Sequence, residues 1–119
     1  MKNAMLASER LLEIEEKFGE DVERIVPLEL DGETLRVVLH LRDGTNLRVT
    51  EQWAGKALKR NSYYWLTPAN ELKVGWDNAP HHTQLENFPH HKHIGQQENM
   101  QPSTEASLEE IMVVIRSKI

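Results

Sequence analysis

Histidine is concentrated in one short segment of this chain. Five of the six histidines lie within the 13 residues from His81 to His93. The segment contains two Pro-His-His units, one beginning at Pro80 and the other at Pro89. An imidazole exchanges protons near neutral pH and is also the commonest metal ligand. The candidates for chemistry are therefore Asp77, His81, His82, His90, His91, Lys92 and His93.

Three interpretations of this His-rich segment stay open. In the first, which needs no cofactor, two imidazoles act as general base and general acid on RNA, while Lys92 or an arginine stabilises the charged phosphate. In the second, the histidines and Asp77 bind a divalent metal such as zinc, although the helical H-E-x-x-H motif is absent. In the third, the histidines only order a loop, either for structure or in a binding module without chemistry. We predict the first, without a bound metal.

The elements that must hold this segment follow from hydrophobic periodicity. Apolar residues at helical spacing predict helices over Leu6–Phe18 and Ser103–Lys118, the second with Ser107 as its N-cap. Alternation with period two predicts an antiparallel meander of about five strands between them. Asp77–Pro102 has neither period and is predicted to be a long irregular loop. The chain is thus expected to be a single α+β domain, with the helices on one face of the sheet.

The parity of apolar residues predicts the register of two hairpins. An Asp31-Gly32 turn and a three-residue loop at 42–44 both keep the apolar side chains of neighbouring strands on one face. The predicted pairs are Leu28 with Leu35, Val26 with Val37, Leu39 with Leu47, and Val37 with Val49.

Charge is segregated along the chain. The net charge is −5 overall, but −6 over residues 1–33, +3 over 34–93 and −2 over 94–119. A locally basic middle favours contact with RNA phosphates, and the alternative is an ordinary solvated surface. Residues 54–61 are predicted to be a basic connection between strands. The candidate RNA-binding residues are Arg36, Arg48, Lys56, Lys59, Arg60 and Tyr64.

Several function classes are excluded by what the sequence lacks. The chain has no cysteine, which excludes a disulfide scaffold, a cysteine nucleophile and an iron–sulfur cluster. Walker, G-x-G-x-x-G and G-x-S-x-G motifs are absent as well. No apolar run approaches the length of about 20 residues that a membrane span needs. We therefore expect a cytoplasmic protein that does not contact a membrane.

A longer pattern surrounds the two Pro-His-His units. It consists of Trp76-Asp77-Asn78-Ala79-Pro80-His81-His82 and Phe88-Pro89-His90-His91-Lys92-His93-Ile94-Gly95. This pattern resembles the motif of the TumE family of toxins from bacterial and archaeal toxin–antitoxin systems. The hairpin ending at Asp43-Gly44, the tyrosine-bearing strand and the C-terminal helix also fit the layout of that family.

The resemblance implies the toxin of a type II module, neutralised by a small helix-turn-helix antitoxin. It further implies arrest of growth or translation through RNA, which agrees with a ribonuclease that uses histidines as general acid and base. A homodimer of the toxin alone is a further expectation.

Overall fold

The described part of the chain consists of two helices and one antiparallel sheet. A computed structural model describes residues 5–78, 91–95, 100–102 and 107–118. In chain order the elements are α1 (Ala7–Phe18), β1 (Val22–Asp31), β2 (Thr34–Leu41), β3 (Asn46–Ala54), β4 (Ala57–Leu66), β5 (Leu72–Asp77), β6 (His91–Ile94), β7 (Met100–Pro102) and α2 (Leu108–Arg116).

The sheet is a meander in which each strand lies beside its neighbours in the sequence. The strand order is β1-β2-β3-β4-β5-β6-β7, and every neighbouring pair is antiparallel. The predicted α+β class, the antiparallel sheet and the helix towards each end are confirmed. Six strands have four residues or more and β7 has three, so the predicted number of about five strands is too low.

The predicted basic connection at residues 54–61 belongs largely to the sheet. Gly55 and Lys56 form the turn between β3 and β4, with Gly55 at a φ of +64° that favours glycine. Backbone pairing of β3 with β4 begins immediately after this turn. The sequence did not predict this part of β4 because Lys59 and Arg60 are exposed, so no apolar alternation marks it.

Two short strands lie inside the predicted irregular loop of residues 77–102. β6 pairs with β5, which places His93 opposite Gly75, and β7 pairs with β6. These strands are too short to show a period of two, so hydrophobic alternation could not predict them. Residues 79–90, 96–99 and 103–106 lie outside the described residues, and with them most of the predicted His-rich loop.

The hairpin between β2 and β3 has the predicted register. Leu39 pairs with Leu47 and Val37 with Val49, and all four side chains are buried. Gly44, in the predicted three-residue loop, has a φ of +93°. The turn therefore keeps the apolar residues of both strands on the same face.

The hairpin between β1 and β2 differs from the prediction. Its two turn residues are Gly32 and Glu33 rather than Asp31 and Gly32. A register shift between Pro27 and Glu29 leaves Leu28 58% exposed. The predicted pairing assumed that the two strands pair residue by residue without interruption. The register shift in β1 makes that prediction wrong. The observed pairs include Leu30 with Leu35, Pro27 with Val37 and Val26 with Val38.

Alternation along the strands divides the sheet into a face covered by the helices and a second face, which we call the open face because none of the described helices or strands covers it. The covered face and the helices share one hydrophobic core, which includes Leu35, Val37, Leu39, Leu41, Leu47, Val49, Tyr63, Trp65 and Trp76 of the sheet and Ile14, Phe18, Leu108, Ile111, Met112 and Ile115 of the helices. Because apolar and polar residues alternate along each strand, the apolar side chains are buried on one side of the sheet only. The intervening residues of β2–β6 form the open face.

The start of α1 and the N-cap of α2 agree with the sequence prediction. α1 starts at Ala7, one residue after the predicted Leu6. The Ser107 hydroxyl accepts a hydrogen bond from the backbone N–H of Glu110 at 3.2 Å, which confirms the predicted N-cap of α2. The predicted first turns of that helix, residues 103–106, lie outside the described residues.

A buried ion cluster joins both helices to the covered face. Arg10 of α1 donates through Nε to Oε1 of Glu51 on β3 at 2.7 Å, and the two side chains are 2% and 0% exposed. Arg10 Nη1 also donates to Oε2 of Glu109 on α2 at 2.8 Å, and Lys17 Nζ donates to the same oxygen at 3.0 Å. The Tyr63 hydroxyl donates to Glu51 Oε2 at 2.6 Å. Sequence analysis had assigned Arg10 and Glu51 no role.

The contacts within this ion cluster favour the charged forms of Arg10 and Glu109. Burial opposes the charge of Arg10, but hydrogen bonds to Glu51 and Glu109 raise its pKa. Burial also opposes the charge of Glu109, yet hydrogen bonds from Arg10 and Lys17 lower its pKa to about 2. Burial and the nearby Glu51 charge raise the pKa of Tyr63 well above its ordinary value of 10.0. Arg10 and Glu109 are therefore charged, and Tyr63 is protonated, at neutral pH.

Candidate functional site

The strand register places two rows of mainly polar residues across the open face. One row consists of Val38, Arg48, Tyr64, Gly75 and His93, on β2 to β6 respectively. The next consists of Arg36, Thr50, Ser62 and Asp77, on β2 to β5. Because the rows are two residues apart along each strand, they are separated by about 7 Å.

Gly75 allows the ring of Tyr64 to cross from β4 onto β5. A Cβ atom at Gly75 would lie 2.4 Å from Cδ1 and 2.5 Å from Cε1 of Tyr64. No residue with a side chain fits at position 75 while the ring holds this place. In this position the Tyr64 hydroxyl is 3.5 Å from Oδ2 of Asp77. Glycine at 75 therefore positions the tyrosine beside the carboxylate.

Asp77 and His93 form a hydrogen-bonded pair between β5 and β6. Oδ2 of Asp77 lies 3.2 Å from Nε2 of His93, and the two residues are 8% and 5% exposed. A carboxylate in contact with one ring nitrogen selects the tautomer and fixes the orientation of the imidazole. Such a pair can accept a proton from a neighbouring group and stabilise the resulting charge.

A cleft of about 560 Å³ opens beside this pair, and we call it the main cleft. It is lined by Thr34, Thr50, Gln52, Arg60, Asn61, Ser62, Tyr64, Asp77 and Asn78. Asn78 holds one end of the cleft together, since its Oδ1 accepts from the Asn61 N–H at 2.9 Å and its Nδ2 donates to the Lys59 carbonyl at 3.1 Å.

A smaller cleft of about 390 Å³, the side cleft, lies further across the open face. Arg36, His40 and Arg48 contribute to its wall. In the part of the chain that the structure describes, the guanidinium groups of Arg36, Arg48 and Arg60 form no ion pair, whereas that of Arg116 pairs with Asp21. The open face thus presents unneutralised cations, of which Arg60 lines the main cleft together with Asp77.

The structure brings part of the predicted catalytic set together. Asp77 and His93 are in contact, and the backbone of His91 pairs with that of Asp77. Lys92 pairs with the core residue Trp76, so the register places it on the face opposite to His93. The predicted His81, His82 and His90 lie outside the described residues.

The predicted RNA-binding residues separate into two groups. Arg36, Arg48, Arg60 and Tyr64 share the open face with Asp77 and His93. Lys56 lies in the β3–β4 turn and Lys59 near the start of β4, both exposed.

Sequence reasoning missed Gly75, Gln52 and Ser62 as parts of this site. Gly75 matters only because Tyr64 stands opposite it, and Gln52 and Ser62 line the main cleft only once β3 and β4 are paired. An isolated glycine within an apolar strand was the available signal, because it indicates close approach of another group.

Metal binding finds no support among the described residues. Within residues 5–78, 91–95, 100–102 and 107–118, no group of three or more histidine, aspartate or glutamate residues is arranged to hold a metal ion. The Asp77–His93 pair supplies two of the residue types that zinc accepts, one fewer than the three protein ligands usual at a catalytic zinc site.

Comparison with known proteins identifies the family. Searches of curated proteins and of solved structures return no match. None of the described helices is long and apolar enough to cross a membrane. The profile of one protein family, described as Toxin TumE, matches residues 6–119. This match covers nearly the whole chain and confirms the resemblance seen in the sequence. The chain belongs to the TumE toxin family.

Proposed function

We propose that this toxin is a ribonuclease that binds RNA on its open face and cleaves it beside the Asp77–His93 pair. The observation that carries the proposal is the location on one face of the sheet of Tyr64, this pair and three arginines that form no ion pair with the described residues. Cations that face solvent attract phosphates, and an aromatic ring beside them can stack on a base. We also propose that the protein acts on RNA in the cytoplasm.

The chemistry is transfer of the phosphate within the RNA chain. The general base takes the proton of a ribose 2′-hydroxyl, and the 2′-oxygen forms a bond to the adjacent phosphorus. The bond from phosphorus to the 5′-oxygen of the next nucleotide breaks, and the general acid protonates that oxygen. The products are a 2′,3′-cyclic phosphate and a 5′-hydroxyl, so no water or cofactor is consumed in this step.

The roles are proposed from residue type and from the positions of the described side chains. Asp77 and His93 together act as one proton-transferring group, because they share a hydrogen bond and Asp77 lines the main cleft. The second group comes from His81, His82, His90 or His91, of which His91 is adjacent to Asp77 in the β5–β6 register. Arg60 lines the main cleft and supplies the positive charge for the phosphate, a role for which Lys92 lies on the unsuitable face.

The proposal is tested by incubating the full-length protein with total RNA, with and without a chelator. We expect cleavage that survives the chelator and falls by about 10²–10⁴-fold in His93→Ala and Asp77→Asn. Glu16→Gln, an exposed change on α1, is the charge-matched control for Asp77→Asn.

Each alternative has its own result in that experiment. Cleavage that disappears with the chelator and returns with zinc or manganese indicates a metal-dependent nuclease. A toxin that arrests growth without cleaving RNA at any concentration is a non-catalytic inhibitor. Folded Asp77→Asn and His93→Ala variants that are as active as the wild type would contradict the assigned roles.

Membership of a toxin family implies an antitoxin partner. We propose that this partner is a helix-turn-helix protein with an acidic segment that covers the arginines of the open face, because opposite charges would hold the two surfaces together. Co-purification of the toxin with the product of the adjacent gene tests the pairing. Arg36→Glu and Arg48→Glu should weaken the complex if the acidic segment docks there. Whether the free toxin is a homodimer stays a prediction, to be measured by sedimentation.

A further inference from the structure

The main cleft is lined by more residues than the proposed proton transfer uses. The cleft has a volume of about 560 Å³, within the roughly 300–1,000 Å³ of small-molecule sites. Four of its lining residues, Thr34, Thr50, Gln52 and Ser62, carry neutral hydroxyl or amide groups. The proposed proton transfer uses the Asp77–His93 pair and none of these four residues, whose groups can hydrogen-bond a small polar ligand.

Tyr64 provides a fixed aromatic surface at the border of the main cleft. Its ring is held against Gly75 and its hydroxyl lies 3.5 Å from Asp77 Oδ2. A ring that is restrained before the ligand arrives loses little conformational entropy when a base stacks on it. The geometry thus favours a flat, aromatic ligand group.

Gln52 and Arg60 stand directly opposite each other on β3 and β4, and both line the main cleft. Within the described part of the chain, the Gln52 amide makes no hydrogen bond and the Arg60 guanidinium makes no ion pair. An amide offers a donor beside an acceptor, which matches the hydrogen-bonding edge of a nucleobase. A guanidinium matches a phosphate.

We infer that the main cleft binds one nucleotide of the RNA, with its base against Tyr64 and hydrogen-bonded to Gln52 and its phosphate on Arg60. This inference rests on the proposed function, because it describes how the RNA is held next to the Asp77–His93 pair. It adds that the toxin discriminates between bases at this position.

The test is calorimetric titration of the full-length protein with the four ribonucleoside 3′-monophosphates, and with ribose 5-phosphate as a probe without a base. We expect at least one nucleotide to bind about 10-fold or more tightly than ribose 5-phosphate. Tyr64→Leu should abolish this advantage, whereas Tyr64→Phe, which keeps the ring, should retain it. Gln52→Ala should reduce the difference in affinity between the four bases. Lys118→Ala, an exposed change after α2, should bind like the wild type.

Two results would overturn the inference. Ribose 5-phosphate binding as tightly as every nucleotide would show that the cleft holds only a phosphate. If a folded Tyr64→Leu variant binds nucleotides as tightly as the wild type, the base does not stack on Tyr64. Because the titration measures binding alone, nucleotide binding without RNA cleavage would support the inference while the proposed ribonuclease activity fails.

Discussion

The ring of Tyr64 lies against the backbone of Gly75 on the neighbouring strand, and it occupies the space that a side chain at position 75 would need. A Cβ atom there would be 2.4 Å from Cδ1 of the ring. The same ring brings its hydroxyl to 3.5 Å from Asp77 Oδ2. One contact between two strands thus sets the position of an aromatic side chain relative to the Asp77–His93 pair.

Gly75→Ala should destabilise the fold and reduce toxicity, because the added methyl group displaces the Tyr64 ring. We expect a loss of about 1–3 kcal/mol in the free energy of unfolding, measured with urea. The control is the double-mutant cycle with Tyr64→Ala, which removes the obstructing ring. If Gly75→Ala costs the same in both backgrounds, the ring is not the obstacle.

Removal of one partner of the buried Arg10–Glu51 ion pair should strongly destabilise the folded protein. Arg10→Met leaves the Glu51 carboxylate buried without its cation, so we expect a loss of about 3–5 kcal/mol. Arg116→Met is the matched control, because it removes an arginine from an exposed pair with Asp21 and should cost about 0–1 kcal/mol. Equal losses in the two variants, measured by chemical unfolding, would contradict a buried role for Arg10.

The stabilising contribution of Glu109 should be lost in acid. Its pKa is about 2 in the folded protein and 4.5 ordinarily, so its contribution is complete above about pH 4.5 and disappears as the pH falls towards 2. Because the side chain is 36% exposed, solvent screening limits this contribution to about 1 kcal/mol. Unfolding free energies at several pH values should show a shallower acid decline in Glu109→Gln. An identical decline in both proteins would show that other groups control it.

Periodicity predicted the fold where the strand ladder is regular. Leu39 and Leu47 pair as expected because no irregularity interrupts β2 and β3. Leu28 does not pair as expected, because a register shift in β1 breaks the alternation on which the prediction depends. The start of β4 escaped prediction for a different reason. The start of β4 is paired with β3 through its backbone, while its side chains Lys59 and Arg60 remain exposed and give no hydrophobic alternation.

The candidate site was predictable by residue type but not by arrangement. Asp77 and His93 were singled out because carboxylates and imidazoles carry proton chemistry, yet their contact depends on pairing between β5 and β6, which no period predicts. Gln52 could not be predicted at all, since it gains significance only from the strand beside it. The buried Arg10–Glu51 pair was missed for the same reason, because the two charges are 41 residues apart.

The three open-face arginines should contribute to RNA binding as phosphate contacts, each in a similar and sequence-independent way. Arg36, Arg48 and Arg60 are exposed, so each one that contacts a phosphate displaces condensed counterions from single-stranded RNA. Replacing one of them by alanine should therefore make the negative slope of log affinity against log salt concentration shallower by about 0.7. Fluorescence anisotropy with a labelled oligoribonucleotide at several salt concentrations measures this slope. The matched control, Lys118→Ala, also removes one positive charge but lies just after α2, so it should leave the slope unchanged. If Lys118→Ala makes the slope shallower by the same amount, RNA affinity depends only on the net charge of the protein. That result would contradict the assignment of the open face as the binding surface.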